Sequence, residues 1–231
     1  MSDHLVLIPG LLCTEALYAE QLAHLGQRAA VMVADHSGHD SLDAMASAIL
    51  DAAPERFALA GLSMGGYLAF EIMRQAPRRV ERLALLDTSA RPDSEEQSAN
   101  RRRLVALAEK KGVAAPAREM FPRLVAPSRG SDEGLRAKFL GMAEATGVAG
   151  FAHQQAAIAG RPDSRKTLAA ITCPTLVLVG EEDQLTPVEM AQEIAEGIAG
   201  SRLAVVPGVG HLSTLEAPDR VTAELRSWLT E

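Results

Sequence analysis

Cysteine is scarce in this 231-residue sequence, which holds Cys13 and Cys173 alone. Two thiols make no disulfide framework, and without a C-x-x-C pair or a His/Cys cluster nothing suggests zinc. Aromatic residues are equally sparse at 3%, so a core must come mostly from Ala, Leu and Val, which the 47% hydrophobic content can supply. No apolar run approaches the roughly eighteen residues of a membrane span, so no membrane partner is expected. Positive charge is not in surplus either. The net charge of -7 argues against a nucleic-acid partner for the chain as a whole. The amino terminus, Met1-Ser2-Asp3-His4, is polar and runs into Leu5 with no basic leader or cleavage site. No signal peptide is therefore expected, and a reducing cytoplasmic location follows. Internal repeats and low-complexity stretches are also missing.

What is present is a series of short apolar runs, each closed by turn residues. Leu5–Ile8 ends at Pro9-Gly10, Val31–Ala34 at Asp35, Phe57–Ala60 at Gly61, and Val80–Leu86 at Asp87. Thr175–Val179 ends at Gly180, and Leu203–Val206 precedes Pro207-Gly208. Continuous rather than alternating apolar runs indicate strands buried on both faces, and helical periods separate them. Thr14 and Ser41 stand where helix caps belong. The pattern predicts an α/β fold with a doubly wound, mostly parallel sheet of about six strands. Between Arg91 and Lys166 the strands stop, and 14 Lys/Arg face 9 Asp/Glu, whereas the remainder has 9 against 21. Proline and glycine break this stretch into what reads as three or four short helices. The expected division is a core of residues 1–90 and 167–231 with a helical insertion at 91–166.

The chemistry gathers at strand ends. Gly61-Leu62-Ser63-Met64-Gly65 lies between an apolar run and a helical segment, the strand–turn–helix context that gives G-x-S-x-G its meaning. A serine on so tight a bend has its hydroxyl pushed clear of the sheet, and flanking side chains would collide there. A serine hydroxyl is a poor nucleophile at neutral pH and needs a base within reach and a group to orient the base. In a parallel sheet such groups come from loops at the carboxyl ends of strands. Asp183, in Gly180-Glu181-Glu182-Asp183, and His211, in Gly208-Val209-Gly210-His211, both satisfy that condition. Their order along the chain is Ser, Asp, His.

On these motifs the sequence resembles the α/β-hydrolase superfamily, in particular its small bacterial carboxylesterases with a helical cap. Leu7-Ile8-Pro9-Gly10-Leu11 occupies the place of the family's oxyanion loop, with Pro9 where a histidine is common. The first strand begins almost at residue 1, so the family's usual amino-terminal hairpin is expected to be missing. The resemblance implies a nucleophile at Ser63, an acid at Asp183, a base at His211, and oxyanion donors at the Leu11 and Met64 N–H groups. Some members carry the acid after the preceding strand, which keeps Asp87 as a rival to Asp183. It further implies ester hydrolysis of a small-molecule substrate with no metal or cofactor. A thioesterase, a C–C bond hydrolase, a lactonase or a cofactor-free haloperoxidase or perhydrolase would share the triad, and a non-catalytic receptor could reuse the scaffold.

Other features carry blander readings. Cys13, near the oxyanion loop, reads as a small buried apolar residue. Arg101-Arg102-Arg103 reads as a solvated helix face, with an acidic carrier protein as a second reading. Met120, Phe121, Leu124, Phe139, Leu140, Met142 and Phe151 either line an acyl pocket or form the insertion's own core.

Overall fold

The computed structural model describes residues 3–27 and 29–230, so Met1 and Ser2 of the leader reading lie outside the described residues. The strands are β1 (His4–Ile8), β2 (Ala30–Val33), β3 (Phe57–Leu62), β4 (Val80–Leu86), β5 (Thr175–Gly180) and β6 (Arg202–Val206). They pair in the order β2-β1-β3-β4-β5-β6, every pair parallel. This is the six-stranded sheet expected, with no hairpin before β1 among the described residues. The inner strands are continuous apolar runs because both faces are covered. Leu5, Leu7, Ala58 and Ala60 join one core cluster, while Val6, Ile8 and Leu59 join the other. Edge strands β2 and β6 are partly exposed.

Helices α1 (Ala19–Leu25) and α9 (Pro218–Thr230) cover the first face. Helices α2 (Leu42–Ala52), α3 (Met64–Gln75) and α7 (Val188–Gly197) cover the second. Ser41 caps α2 by accepting the Ala44 N–H. Thr14 also caps, although what it opens is a 3-10 turn, Glu15–Tyr18, that leads into α1. The chain runs from β1 outward to β2 and then returns to β3 on the other side. That reversal leaves a crevice at the carboxyl ends of β1 and β3, where open α/β sheets bind ligands.

The segment between β4 and β5 is helical, in keeping with the three or four helices expected. It forms α4 (Glu95–Lys111), α5 (Ala114–Leu124) and α6 (Glu133–Ala159), of 17, 11 and 27 residues. Gly112 and Gly160 cap α4 and α6, while Pro122 lies inside α5. Pro116 sits in the first turn of α5, where no N–H is needed. Gly147, at φ 70° and ψ 174°, is not helical and divides α6 into two helices across a kink. Phe121, Phe139 and Phe151 are fully buried and, with Leu124 and Met142, belong to the same core cluster as one face of the sheet. Met120 and Leu140 are only partly buried.

The insertion's two ends meet. Ser164 N donates to Ala90 O at 2.9 Å, and the Arg161 guanidinium donates to Arg91 O at 2.9 Å. Asp93, its side chain 1% exposed, receives both Arg101 and Arg161. The solvated-face reading therefore fails for Arg101, which turns inward to Asp93 and Gln155, because a buried carboxylate needs cationic partners. Arg102 and Arg103 remain exposed. Among the described residues no helix is long and apolar enough to cross a membrane.

Candidate active site

Ser63 stands between β3 and α3 at φ 55°, ψ -112°, a left-handed conformation that costs a non-glycine residue about 1–3 kcal/mol. Its surroundings hold it there. Ser63 N donates to Leu86 O at 2.9 Å, while Thr88 Oγ1 donates to Ser63 O at 2.8 Å. The flanking glycines are required by contact. A Cβ on Gly61 would lie 2.2 Å from Gly65 O, and one on Gly65 would lie 2.0 Å from Ile8 O. The elbow is thus pressed against the end of β1. Leu12 (φ 59°) and Asp87 (φ 45°) are the other described non-glycine residues at positive φ, so the backbone strain collects at the ends of β1, β3 and β4.

His211 follows β6 through Gly208, at φ 67°, and Gly210, whose added Cβ would meet Ala126 N at 2.2 Å. The turn carries the imidazole inward, to 3% exposure. His211 Nε2 lies 2.8 Å from Ser63 Oγ, and His211 Nδ1 lies 2.7 Å from Asp183 Oδ2. The loop after β5 fixes the carboxylate. Asp183 Oδ1 accepts the Leu185 and Thr186 N–H groups at 2.8 and 3.0 Å, and Oδ2 accepts Thr186 Oγ1 at 2.7 Å.

Burial alone would raise the Asp183 pKa, but the His211 charge and these hydrogen bonds outweigh it and hold the group below the usual aspartate value. For His211, burial acts to lower the pKa. The Asp183 charge and hydrogen bond overcome it, aided by Asp87 and Glu216, so the imidazole is pushed above its ordinary value.

Asp87 is fully buried but does not bond His211. Its Oδ1 accepts Gly180 N at 2.9 Å, and its Oδ2 accepts the Ser213 hydroxyl. Burial, then the Asp183 charge, raises its pKa well above the carboxylate range. Of the two rival carboxylates, the structure brings Asp183 to the histidine and gives Asp87 to the short helix α8 (Ser213–Glu216). Burial pushes the Cys13 thiol up to about 12, in keeping with an inert apolar residue.

Leu11 follows Gly10, where an added Cβ would lie 3.5 Å from the Ser63 Cβ, and Met64 follows Ser63 at the start of α3. Among the described residues neither N–H donates to a protein acceptor. Met64 opens a helix, where the first N–H groups are unpaired and the dipole favours an anion.

The segment between β4 and β5 is hydrogen-bonded to these loops. Gln154 Oε1 accepts Leu12 N at 3.1 Å, His153 Nδ1 lies 2.9 Å from Ser37 O, and Gln184 Nε2 donates to Val125 O at 3.3 Å. Leu212 N donates to Leu124 O at 2.9 Å, and Glu216 accepts both Ala126 N and Gly210 N. Each of the loops after β1, β2, β5 and β6 is thereby joined to the segment between β4 and β5. Two clefts lie between this segment and the loops after β1 and β2 or the α8 region, and neither has Ser63, Asp183 or His211 in its walls. One of about 270 Å³ is lined by Cys13, Asp35, His36, Thr146 and Gln154 among others. Another of about 380 Å³ runs past Thr14, Lys138, Met142 and Leu215. Sequence reasoning missed Gln154, whose position inside a helix matches no motif. Among the described residues no cluster of His, Cys, Asp and Glu could hold a metal ion.

Comparison with known proteins places this architecture. The model of the alpha/beta hydrolase family matches residues 5–224. The chain belongs to that family. The AB hydrolase superfamily protein YisY of Bacillus subtilis is 30% identical over 180 residues, which are 73% of this chain and 65% of YisY. The solved structure of a thermophilic esterase from Thermogutta terrifontis is 34% identical with a TM-score of 0.89, over 98% of this chain and 89% of that one. The enol-lactonase from Burkholderia xenovorans LB400 is 26% identical with a TM-score of 0.90, over 100% and 92%.

Proposed function

We propose that this protein is a serine hydrolase that cleaves a carboxylic ester of small to medium size through an acyl-enzyme intermediate. The observation that carries the reading is the continuous contact from Ser63 Oγ to His211 Nε2 at 2.8 Å and from His211 Nδ1 to Asp183 Oδ2 at 2.7 Å. His211 takes the Ser63 proton as the oxygen attacks the ester carbonyl, then gives it to the departing alcohol oxygen. Asp183 keeps the Nδ1–H tautomer, leaving Nε2 free to act as base, and stabilises the imidazolium. A water activated by the same imidazole then attacks the acyl-enzyme and frees Ser63 and the acid.

The negative charge on the tetrahedral carbon's oxygen is assigned to the Leu11 and Met64 N–H groups. Both are free of protein acceptors, and Met64 adds the amino-terminal end of α3. Donors of this kind are each worth about 3 kcal/mol of barrier. In this reading residues 91–166 are a cap over a core of 1–90 and 167–231, and the cap bounds the substrate site. The names of the Thermogutta esterase and the Burkholderia enol-lactonase favour an ester or lactone substrate over the other bonds open to such a triad.

A panel of p-nitrophenyl esters of increasing acyl length, with thioesters and lactones alongside, tests the assignment. Turnover of short-chain esters is expected to exceed that of the thioesters. A preparation that turns over none of these substrates contradicts the proposal.

A further inference from the structure

Leu12 is a fully buried leucine in a backbone conformation that normally belongs to glycine. It is the third residue of the Gly10–Cys13 turn, which closes where Cys13 N donates to Gly10 O at 3.1 Å. A positive φ at that position marks a type II turn, and type I differs from it by a flip of the central peptide. The central peptide here carries the Leu12 N–H. It is held by a side chain from 142 residues away, Gln154 Oε1 at 3.1 Å, on the second half of α6.

Gln154 is itself held. The chain's geometry makes Oε1 the end facing Leu12, because that end meets a donor, so Nε2 faces His36 Nε2 at 3.4 Å. His36 can accept that amide only as the neutral imidazole protonated at Nδ1. Burial keeps it neutral, drawing its pKa down to about 4 against the pull of the Gly10 carbonyl, Asp35 and the Ala34 carbonyl. Gln154 is 1% and His36 3% exposed, yet both also stand in the wall of the 270 Å³ cleft. Hydrogen bonds, rather than close packing on every side, therefore fix the amide. The neighbouring His153 lies 2.9 Å from Ser37 O, and Gln155 accepts from Arg101, so three successive residues after the Gly147 kink lock this part of α6 onto two loops and onto α4.

We infer that Gln154 is a positioning residue for the oxyanion loop, holding the Leu12 N–H so that the strained Gly10–Cys13 turn presents the preceding Leu11 N–H to the reacting carbonyl. The inference rests on the reading of Leu11 as an oxyanion donor. It makes the helical insertion a working part of the catalytic geometry and not only a cover. Loss of a whole donor typically lowers kcat by 10²–10³, so disordering the loop should cost roughly tenfold.

The test compares Gln154→Met, which fills the same space without an acceptor, and Gln154→Glu, which keeps the acceptor. Gln154→Asn, too short to reach Leu12, takes the place of Gln154→Met if that variant does not fold. Measurements are kcat and KM on p-nitrophenyl butyrate, the inhibition constant of an alkyl boronic acid that mimics the tetrahedral intermediate, and thermal melting. The expected result is a kcat about tenfold lower for Gln154→Met, a KM within about twofold, and boronate binding weakened in step with kcat. Gln154→Glu keeps the acceptor for Leu12 N–H but loses the amide donor to His36, so its kcat should fall between those of wild type and Gln154→Met. A Gln154→Met kcat within twofold of wild type overturns the inference. So does a fall in kcat and melting temperature with boronate affinity unchanged. Labelling by a fluorophosphonate separates the two readings. If wild type is not labelled at Ser63 the serine-hydrolase reading itself fails, whereas labelled protein with an unaffected Gln154→Met rate sinks only the role of Gln154.

Discussion

Asp183 Oδ2 lies 2.7 Å from His211 Nδ1, while Asp87, nearer in sequence to a strand end and also buried, turns away to Gly180 N and the Ser213 hydroxyl. The difference comes from the backbone, since Asp87 leaves β4 at φ 45° and its side chain is directed across the end of β5 toward α8.

This arrangement ranks two substitutions. Asp183→Asn should reduce kcat by about 10³–10⁴, because an amide in its place favours the wrong imidazole tautomer. Asp87→Asn should reduce it far less, its effect passing through Ser213 and the histidine loop. Steady-state kinetics on one ester with both variants checks the order, and a larger loss for Asp87→Asn would move the orienting role to that residue.

The pH profile follows from the same charges. Raising the His211 pKa means the imidazole stays cationic to higher pH, and the cation cannot act as base. The acid limb of kcat/KM should therefore be centred above 6.5, with activity rising as pH increases through it. Removing the Asp183 charge withdraws the main cause of the shift, so the residual activity of Asp183→Asn should have its limb at lower pH. A wild-type limb centred below 6.5 would contradict the electrostatic account.

Asp93 supplies a stability test remote from Ser63. Its side chain is 1% exposed and receives Arg101 and Arg161, the latter stacked 4.4 Å from the Tyr67 ring centroid. Burial opposes its ionisation, but Arg101 and then Arg161 hold its pKa below 3.8. A lowered carboxyl pKa stabilises the fold fully above 3.8, and the contribution is lost as pH falls through the lowered value. Asp93→Ala leaves two guanidinium groups without their buried partner and should cost about 3–5 kcal/mol at neutral pH. Chemical denaturation measures this, and a loss below 1 kcal/mol would show that the clasp is not needed.

How far the sequence reached can be argued from these residues. The sheet was legible because buried parallel strands leave continuous apolar runs of strand length, here bounded by turn residues and separated by helical periods. The convergence of Ser63, Asp183 and His211 was legible because each follows a strand, and parallel strands deliver their carboxyl ends to one edge. The choice between Asp87 and Asp183 was less legible, since both follow adjacent strands and only the positive φ at Asp87 separates them. The insertion was read least well. Gly112, Gly147 and Gly160 do end or break helices, whereas Pro116 occupies a first turn and Pro122 a helix interior. Arg101 was read as solvated because its partner, Asp93, is not at helical spacing from it. Gln154 left no trace, because a glutamine inside a helix whose partner lies 142 residues away fits no local pattern.

The most direct test of the central claim is the turnover of p-nitrophenyl butyrate by Ser63→Ala protein whose melting temperature matches or exceeds that of wild type. Removal of the nucleophile should lower kcat by about 10⁶ and abolish any acyl-enzyme burst. A folded Ser63→Ala variant that hydrolyses the ester at the wild-type rate would contradict the account.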